Sequence, residues 1–266
     1  MTAGGECAIE VRSVSVNYRS YTERPTSLKE AAVRFLRTGK AKYYSEFKAL
    51  SDISFTVPRG SSLGIIGSNG AGKSTLLMVI AGVLKPSAGE VVTRGSVDSL
   101  IQLGAGFDPE LTATENIFLF GSLRGRTRRE IEGSVERILS FAELGEFAST
   151  PIKYFSAGMY ARLGFSCAIE SKPEILLVDE VLAVGDERFG AKCRAYLADF
   201  RSSGKTVVMI SHNIDQIAKE VDQVLVLARG ERLFLGDPAG ALTVYRSPEY
   251  RTRLVSTPAP AAAAAR

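Results

Sequence analysis

At 266 residues, with 45% hydrophobic and 23% charged side chains and a formal net charge of +4, the chain has the make-up of an ordinary folded domain rather than of a disordered one. It is long enough to bury a sizeable core, as one large α/β domain or as one domain with a smaller lobe. The positive surplus is too small to argue for nucleic acid, and no nucleic-acid partner is expected.

The opening stretch MTAGGECAIE has no basic region followed by an apolar one, so no secretory signal is expected and the protein should stay in the cytoplasm. No apolar run approaches the roughly eighteen residues that span a bilayer. LLMVIAGVL (76–84) is among the longest, so any membrane role needs a partner. Cys7, Cys167 and Cys193 form an odd set without metal-ligand spacing, as suits a reducing compartment, and carry no assigned function.

In chain order, AIEVRSVSVNY (8–18), DISFTV (52–57), SLGIIG (62–67), EVVTRG (90–95), EILLVDE (174–180), TVVMIS (206–211), QVLVLARG (223–230) and RLFLGD (232–237) read as strands. The near-continuous apolar runs at 62, 175 and 206 predict buried parallel strands, each followed by a helical segment. The first and last runs alternate more and suit an antiparallel edge region. Between 113 and 171 the periodicity is helical, which predicts a helical subdomain inserted into an α/β core.

Residues 19–47 are too long for a plain turn. Ser27 and Glu30 have capping-box spacing, Leu28, Ala31, Ala32, Phe35 and Leu36 share one helical face, and Gly39 is placed to end the helix. A short amphipathic helix is expected over 27–38, either at a membrane interface or packed as a lid on the edge sheet. Residues 247–266, ending in TPAPAAAAAR, read as a low-complexity tail after a domain spanning 1–246.

The chemistry is concentrated in GSNGAGKST (67–75). Gly67, Gly72, Lys73 and Ser74 satisfy the G-x-x-x-x-G-K-[ST] pattern, with an apolar strand before and a helix after. In such a loop Gly67, Ser68, Asn69, Gly70, Ala71 and Gly72 turn backbone N–H groups around phosphate, and the helix N-terminus adds a favourable dipole. Lys73 should reach the β- and γ-phosphates of a nucleotide, Ser74 should ligate Mg²⁺, and Thr75 should contact phosphate or stand behind the ion. A second nucleotide-binding domain does not fit in this length.

Asp179 and Glu180 end an apolar strand, where an open α/β sheet binds its ligand. Asp179 can hold Mg²⁺, usually through water, and Glu180 is free to polarise a nucleophilic water, a division of labour that suits hydrolysis of ATP. His212 is the single histidine of the chain. It follows another buried strand, where it could touch the γ-phosphate or orient the water. FSAGM (155–159) opens a helix, and Ser156 with the N–H groups of Ala157 and Gly158 predicts a second anion-binding helix end, one suited to another molecule's nucleotide.

In this order, phosphate loop, Ser-Ala-Gly helix start, Asp-Glu strand and histidine resemble the ABC-transporter ATPase family, over about residues 8 to 245. The resemblance implies an α/β P-loop NTPase core with a parallel sheet, an antiparallel β edge region and the inserted helical subdomain. It also implies a head-to-tail homodimer, with two ATP held between one copy's Gly67–Thr75 and the other's Ser156–Gly158. Tyr18 matches the aromatic that stacks on adenine, and AVGD (183–186) the loop that crosses the dimer interface. Gln102 is the nearest candidate for the family's glutamine that contacts Mg²⁺ and the membrane partner, although its offset from LTATEN is unusual.

The common L-S-G-G-Q signature is replaced here by Phe155-Ser156-Ala157-Gly158-Met159. With LGAGFDPELTATEN, DEVLAVGD and the insertion at 19–47, this looks like the branch that exports lipid-linked polysaccharides: O-antigens, cell-wall galactans, teichoic acids and capsules. The resemblance implies two copies of a separate transmembrane permease, a polyprenyl-diphosphate-linked glycan as cargo, and a peripheral position on the cytoplasmic face of the cell membrane. The alternative within the family is the ATPase subunit of a drug, lipid or peptide exporter.

Overall fold

The computed structural model describes residues 6–21, 44–100, 103–179, 186–211 and 213–255. Two long strands, β1 (Cys7–Tyr21) and β2 (Tyr44–Pro58), pair antiparallel, and β3 (Ser62–Gly67) follows. On the other edge of β1 lies β4 (Ala88–Thr93), also antiparallel, so the small sheet has the order β2-β1-β4. The apolar pattern of β1 changes phase midway: Ile9 and Val11 are buried, then Val14 and Val16. An irregularity between Val11 and Val14, with Ser13 at φ 46°, absorbs the slip and keeps both pairs facing one core. Asp52, at φ 50° between buried Leu50 and Ile53, does the same in β2.

The larger sheet adds β5 (Val97–Ser99), β6 (Ile175–Val178), β7 (Thr206–Ile210), β8 (Gln223–Ala228) and β9 (Glu231–Gly236), in the order β5-β6-β7-β3-β8-β9. All pairings are parallel except β8 with β9. Every residue of β3, β6 and β7 is buried, as near-continuous apolar runs predict for strands covered on both faces. Alternate residues enter two cores: Ile65, Leu177, Val208 and Leu225 pack against the antiparallel sheet, while Ile66, Leu176, Val207 and Val226 face helices.

The helices are α1 (Lys73–Ile80), which packs in the core shared with the antiparallel sheet, then α2 (Ala113–Leu123), α3 (Arg128–Ala142), α4 (Ala157–Glu170), α5 (Glu187–Ser202), α6 (Ile214–Glu220), α7 (Pro238–Arg246) and α8 (Pro248–Val255). Helices α2 to α4 fall between β5 and β6 and form the inserted helical region. Capping boxes start two of them, Thr112 with Glu115 and Thr127 with Glu130. Fully buried Asn116 orders the loop ahead of α2: its side-chain oxygen accepts from the Asp108 N–H at 2.7 Å and its amide donates to the Asp108, Leu111 and Thr112 carbonyls at 3.0 Å. No helix among the described residues is long and apolar enough to cross a membrane.

Three expectations change. Strand β5 has no sequence counterpart above because three residues carry too little periodicity. The insertion is shorter than 19–47, since β1 runs to Tyr21 and β2 starts at Tyr44; the helix expected over 27–38 lies outside the described residues. The tail starts later than residue 247, because Pro248–Val255 is helical. Pro248 stands at its first position, the Ser247 hydroxyl accepts from the Tyr250 N–H at 3.2 Å, and Tyr250 is buried.

Candidate functional site

Strand β3 delivers Gly67 to the carboxyl edge of the larger sheet, and the chain turns through Ser68–Gly72 into α1. Gly72 has φ 99°, and a Cβ there would lie 2.7 Å from the Ala49 carbonyl oxygen, so both backbone conformation and the closeness of β2 require glycine. The buried Lys73 side chain curls back and its ammonium donates to the Gly67 carbonyl at 2.8 Å and the Ser68 carbonyl at 3.0 Å. A cation is thereby held inside a ring of backbone at a helix N-terminus, which is the arrangement that attracts phosphate.

Next to Lys73, the Ser74 hydroxyl donates to Asp179 Oδ2 at 3.4 Å. Asp179 follows β6 directly, and only β7 separates β6 from β3 in the sheet. A cleft of about 570 Å³ opens over this edge, lined by Tyr18, Phe47, Ala49, Asn69, Gly70, Ala71, Gly72, Lys73, Ser74, Thr75, Asp179 and Ile210. It brings together Tyr18, the loop residues from Asn69 to Thr75 and Asp179. Gly67 and Ser68 form the back of the loop through the carbonyls that hold Lys73.

Ser156, Ala157 and Gly158 are not among the residues lining this cleft. They start α4, where the Ser156 hydroxyl accepts from the Met159 N–H at 3.2 Å, and Ser156 and Ala157 are exposed to solvent. From the same helix, Arg162 donates to Asp186 at 2.6 Å, and Asp186 caps α5 by accepting from the Phe189 N–H at 2.9 Å. That N–H and the Arg162 guanidinium hold the Asp186 carboxyl below its usual range. Glu180, His212 and Gln102 lie outside the described residues, as do Ala183–Gly185.

The thiols of Cys167 and Cys193 are buried, which pushes both up to about 12 and makes them poor nucleophiles. Sequence reasoning missed Phe47, Ala49 and Ile210 in the cleft and Tyr250 behind it. The Tyr250 hydroxyl accepts from the Ser68 N–H at 2.8 Å and donates to the Leu227 carbonyl at 3.4 Å. Burial raises the phenol above its usual range, so it stays neutral. Tyr250→Phe leaves the Ser68 N–H without this acceptor, at a cost of about 1–3 kcal/mol. We expect weaker ATP binding with little loss of helix content, checked by calorimetric titration beside circular dichroism.

A strand, a glycine-rich loop closed by lysine and serine, and an aspartate just past a second parallel strand of the same sheet define a P-loop nucleotide-binding protein. The family model described as ABC transporter matches residues 50–183. The O-antigen export system ATP-binding protein RfbB of Klebsiella pneumoniae is 40% identical over 241 residues, 91% of this chain and 98% of that protein. The ABC transporter protein AbcA of Aeromonas salmonicida is 46% identical over 199 residues, 75% of this chain, and the match spans 65% of its length. A solved structure of the ATP-binding cassette MJ0796, dimeric, in a post-hydrolysis state and bound to ADP and Pi, superposes with a TM-score of 0.66 at 23% identity. It covers 86% of this chain and 98% of that one, and supports the fold. The chain belongs to the ABC transporter family and carries its ATPase domain.

Proposed function

We propose that the chain is the ATP-hydrolysing subunit of an exporter that carries a polyprenyl-diphosphate-linked polysaccharide across the cell membrane. It works as a homodimer on the cytoplasmic face, beside two copies of a separate membrane-spanning protein. The observation that carries the ATP reading is the cleft that joins Lys73, Ser74 and Asp179. Support for the cargo comes from the 40% identity, over nearly the whole of both chains, to an O-antigen export ATP-binding protein.

Within the cleft, Tyr18 stacks on adenine, the backbone from Asn69 to Thr75 cradles the phosphates, and Lys73 neutralises their charge. The Ser74 hydroxyl and the Asp179 carboxylate, 3.4 Å apart, are hard oxygen donors of the kind that Mg²⁺ selects. Gln102 is a further candidate donor. When bound, the ion shields charge on the phosphates during transfer to water. Glu180 accepts the proton of the attacking water, and His212 orients that water or contacts the γ-phosphate. The exposed start of α4 supplies Ser156 and the N–H groups of Ala157 and Gly158 to the nucleotide of the opposite copy. Arg162 on α4 ties this helix to Asp186, the last residue of the proposed interface loop, at 2.6 Å.

Depleting the protein in its native cell and analysing membrane extracts by mass spectrometry tests the cargo. A long lipid-linked glycan should accumulate on the cytoplasmic side. Intact glycan synthesis with no accumulation would move the assignment to a drug, lipid or peptide exporter.

A further inference from the structure

The geometry points to Phe47 as the second ring of a base platform that makes this site prefer purine over pyrimidine nucleotides. The inference rests on the proposed ATP site and adds a residue to it. Phe47 is the register partner of Tyr18 across the β1–β2 ladder. Residues directly opposed in an antiparallel pair project from the same face, with Cβ atoms about 4.5–5.5 Å apart. Both side chains line the nucleotide cleft, and both remain open to solvent, at 39% for Tyr18 and 41% for Phe47.

Two partly exposed aromatic side chains at opposed positions of a strand pair, both on the wall of one cleft, offer apolar surface that a flat base can cover. The neighbouring residues on the strand show what fits. Lys48 pairs with Asn17, and alternation turns it to the opposite face. Ala49 is the extra residue at an irregularity between the Asn17–Lys48 and Val16–Leu50 pairs; it lines the cleft, and its carbonyl abuts Gly72 of the phosphate loop. Along the cleft the order is therefore an aromatic pair, a small side chain, then the phosphate cradle. That order matches base, sugar and phosphate of one nucleotide. A single ring suffices to stack a pyrimidine, whereas the fused rings of a purine are wide enough to use both. Phe47 thus contributes mainly to purine binding, and no hydrogen-bonding edge is needed for the discrimination.

The test uses the full-length chain with Mg²⁺ and compares dissociation constants for ATP, GTP and CTP by calorimetric titration. Loss of one stacking ring should weaken ATP and GTP binding to Phe47→Ala by about tenfold. CTP should change by less than about twofold, so the purine-to-pyrimidine ratio collapses. Phe47→Tyr should keep the ratio of the parent. If the alanine variant folds poorly, Phe47→Leu serves instead: it fills the same space without an aromatic face and should lose most of the selectivity. An unchanged ATP-to-CTP ratio in folded Phe47→Ala or Phe47→Leu overturns the platform, whether all nucleotides weaken together or none does. A parent protein that binds no nucleotide would instead bring down the ATP site itself.

Discussion

Lys73→Ala is expected to reduce ATP affinity by about a hundredfold or more, the largest binding loss of any single side chain in the cleft. The Lys73 ammonium is held among backbone carbonyls, at 2.8 Å from that of Gly67 and 3.0 Å from that of Ser68, on a side chain that is only 6% exposed. Charge-assisted hydrogen bonds to phosphate in such a site are roughly twice as strong as neutral ones. Removing one member of a buried charged pair costs about 2–5 kcal/mol, and about 3 kcal/mol is already more than a hundredfold. Lys73→Arg should not rescue binding, because a planar guanidinium does not fit the space that a compact ammonium fills between the Gly67 and Ser68 carbonyls. Calorimetric titration of folded Lys73→Ala with ATP decides the matter, and parental affinity would place the phosphates elsewhere.

Most of this cleft is legible in the sequence because the phosphate loop is local. Nine consecutive residues encode a strand end, a glycine-dependent turn and a helix start, and Gly70 at φ 75° and Gly72 at φ 99° adopt the left-handed conformations that such a turn demands. Asp179 is legible for a related reason: a buried apolar strand must end at the sheet edge, and a polar residue there faces the ligand crevice. The pairing of Tyr18 with Phe47 is not local. It depends on the register of two strands separated by residues 22–43, and periodicity does not reveal which residue of one strand meets which of the other.

Tyr250 is a different case. The Ser-Pro start of its helix is a readable signal, but the alanine- and proline-rich composition that follows dominates the reading of the region. Even with the helix recognised, nothing local connects Tyr250 to the Ser68 N–H, which is 182 positions away along the chain. The slip in β1, by contrast, has a local mark that the reading of 8–18 as a plain alternating strand does not use. Apolar residues at 9 and 11 and then at 14 and 16 require an extra residue between the pairs, and Ser13 marks the place.

Glu180→Gln is expected to separate hydrolysis from binding, lowering turnover by about 10²–10⁴-fold while leaving ATP affinity close to that of the parent. The amide keeps the size and much of the hydrogen bonding of the carboxyl but does not accept a proton from water. Its neighbour Asp179 lies 3.4 Å from Ser74 and lines the cleft, so Asp179→Asn should behave differently, losing Mg²⁺-dependent ATP binding as well as turnover. In the proposed homodimer, uncleaved ATP would hold the two copies together, so Glu180→Gln should elute as a dimer with ATP and as a monomer without it. Single-turnover hydrolysis and size-exclusion chromatography measure the two effects independently. If Glu180→Gln hydrolyses ATP at the parental rate in the assembled exporter, the proton goes elsewhere. A normal loss of turnover without dimer accumulation would preserve the base but detach hydrolysis from the opening of the dimer, and the Ser156 end of α4 would then have no nucleotide to hold.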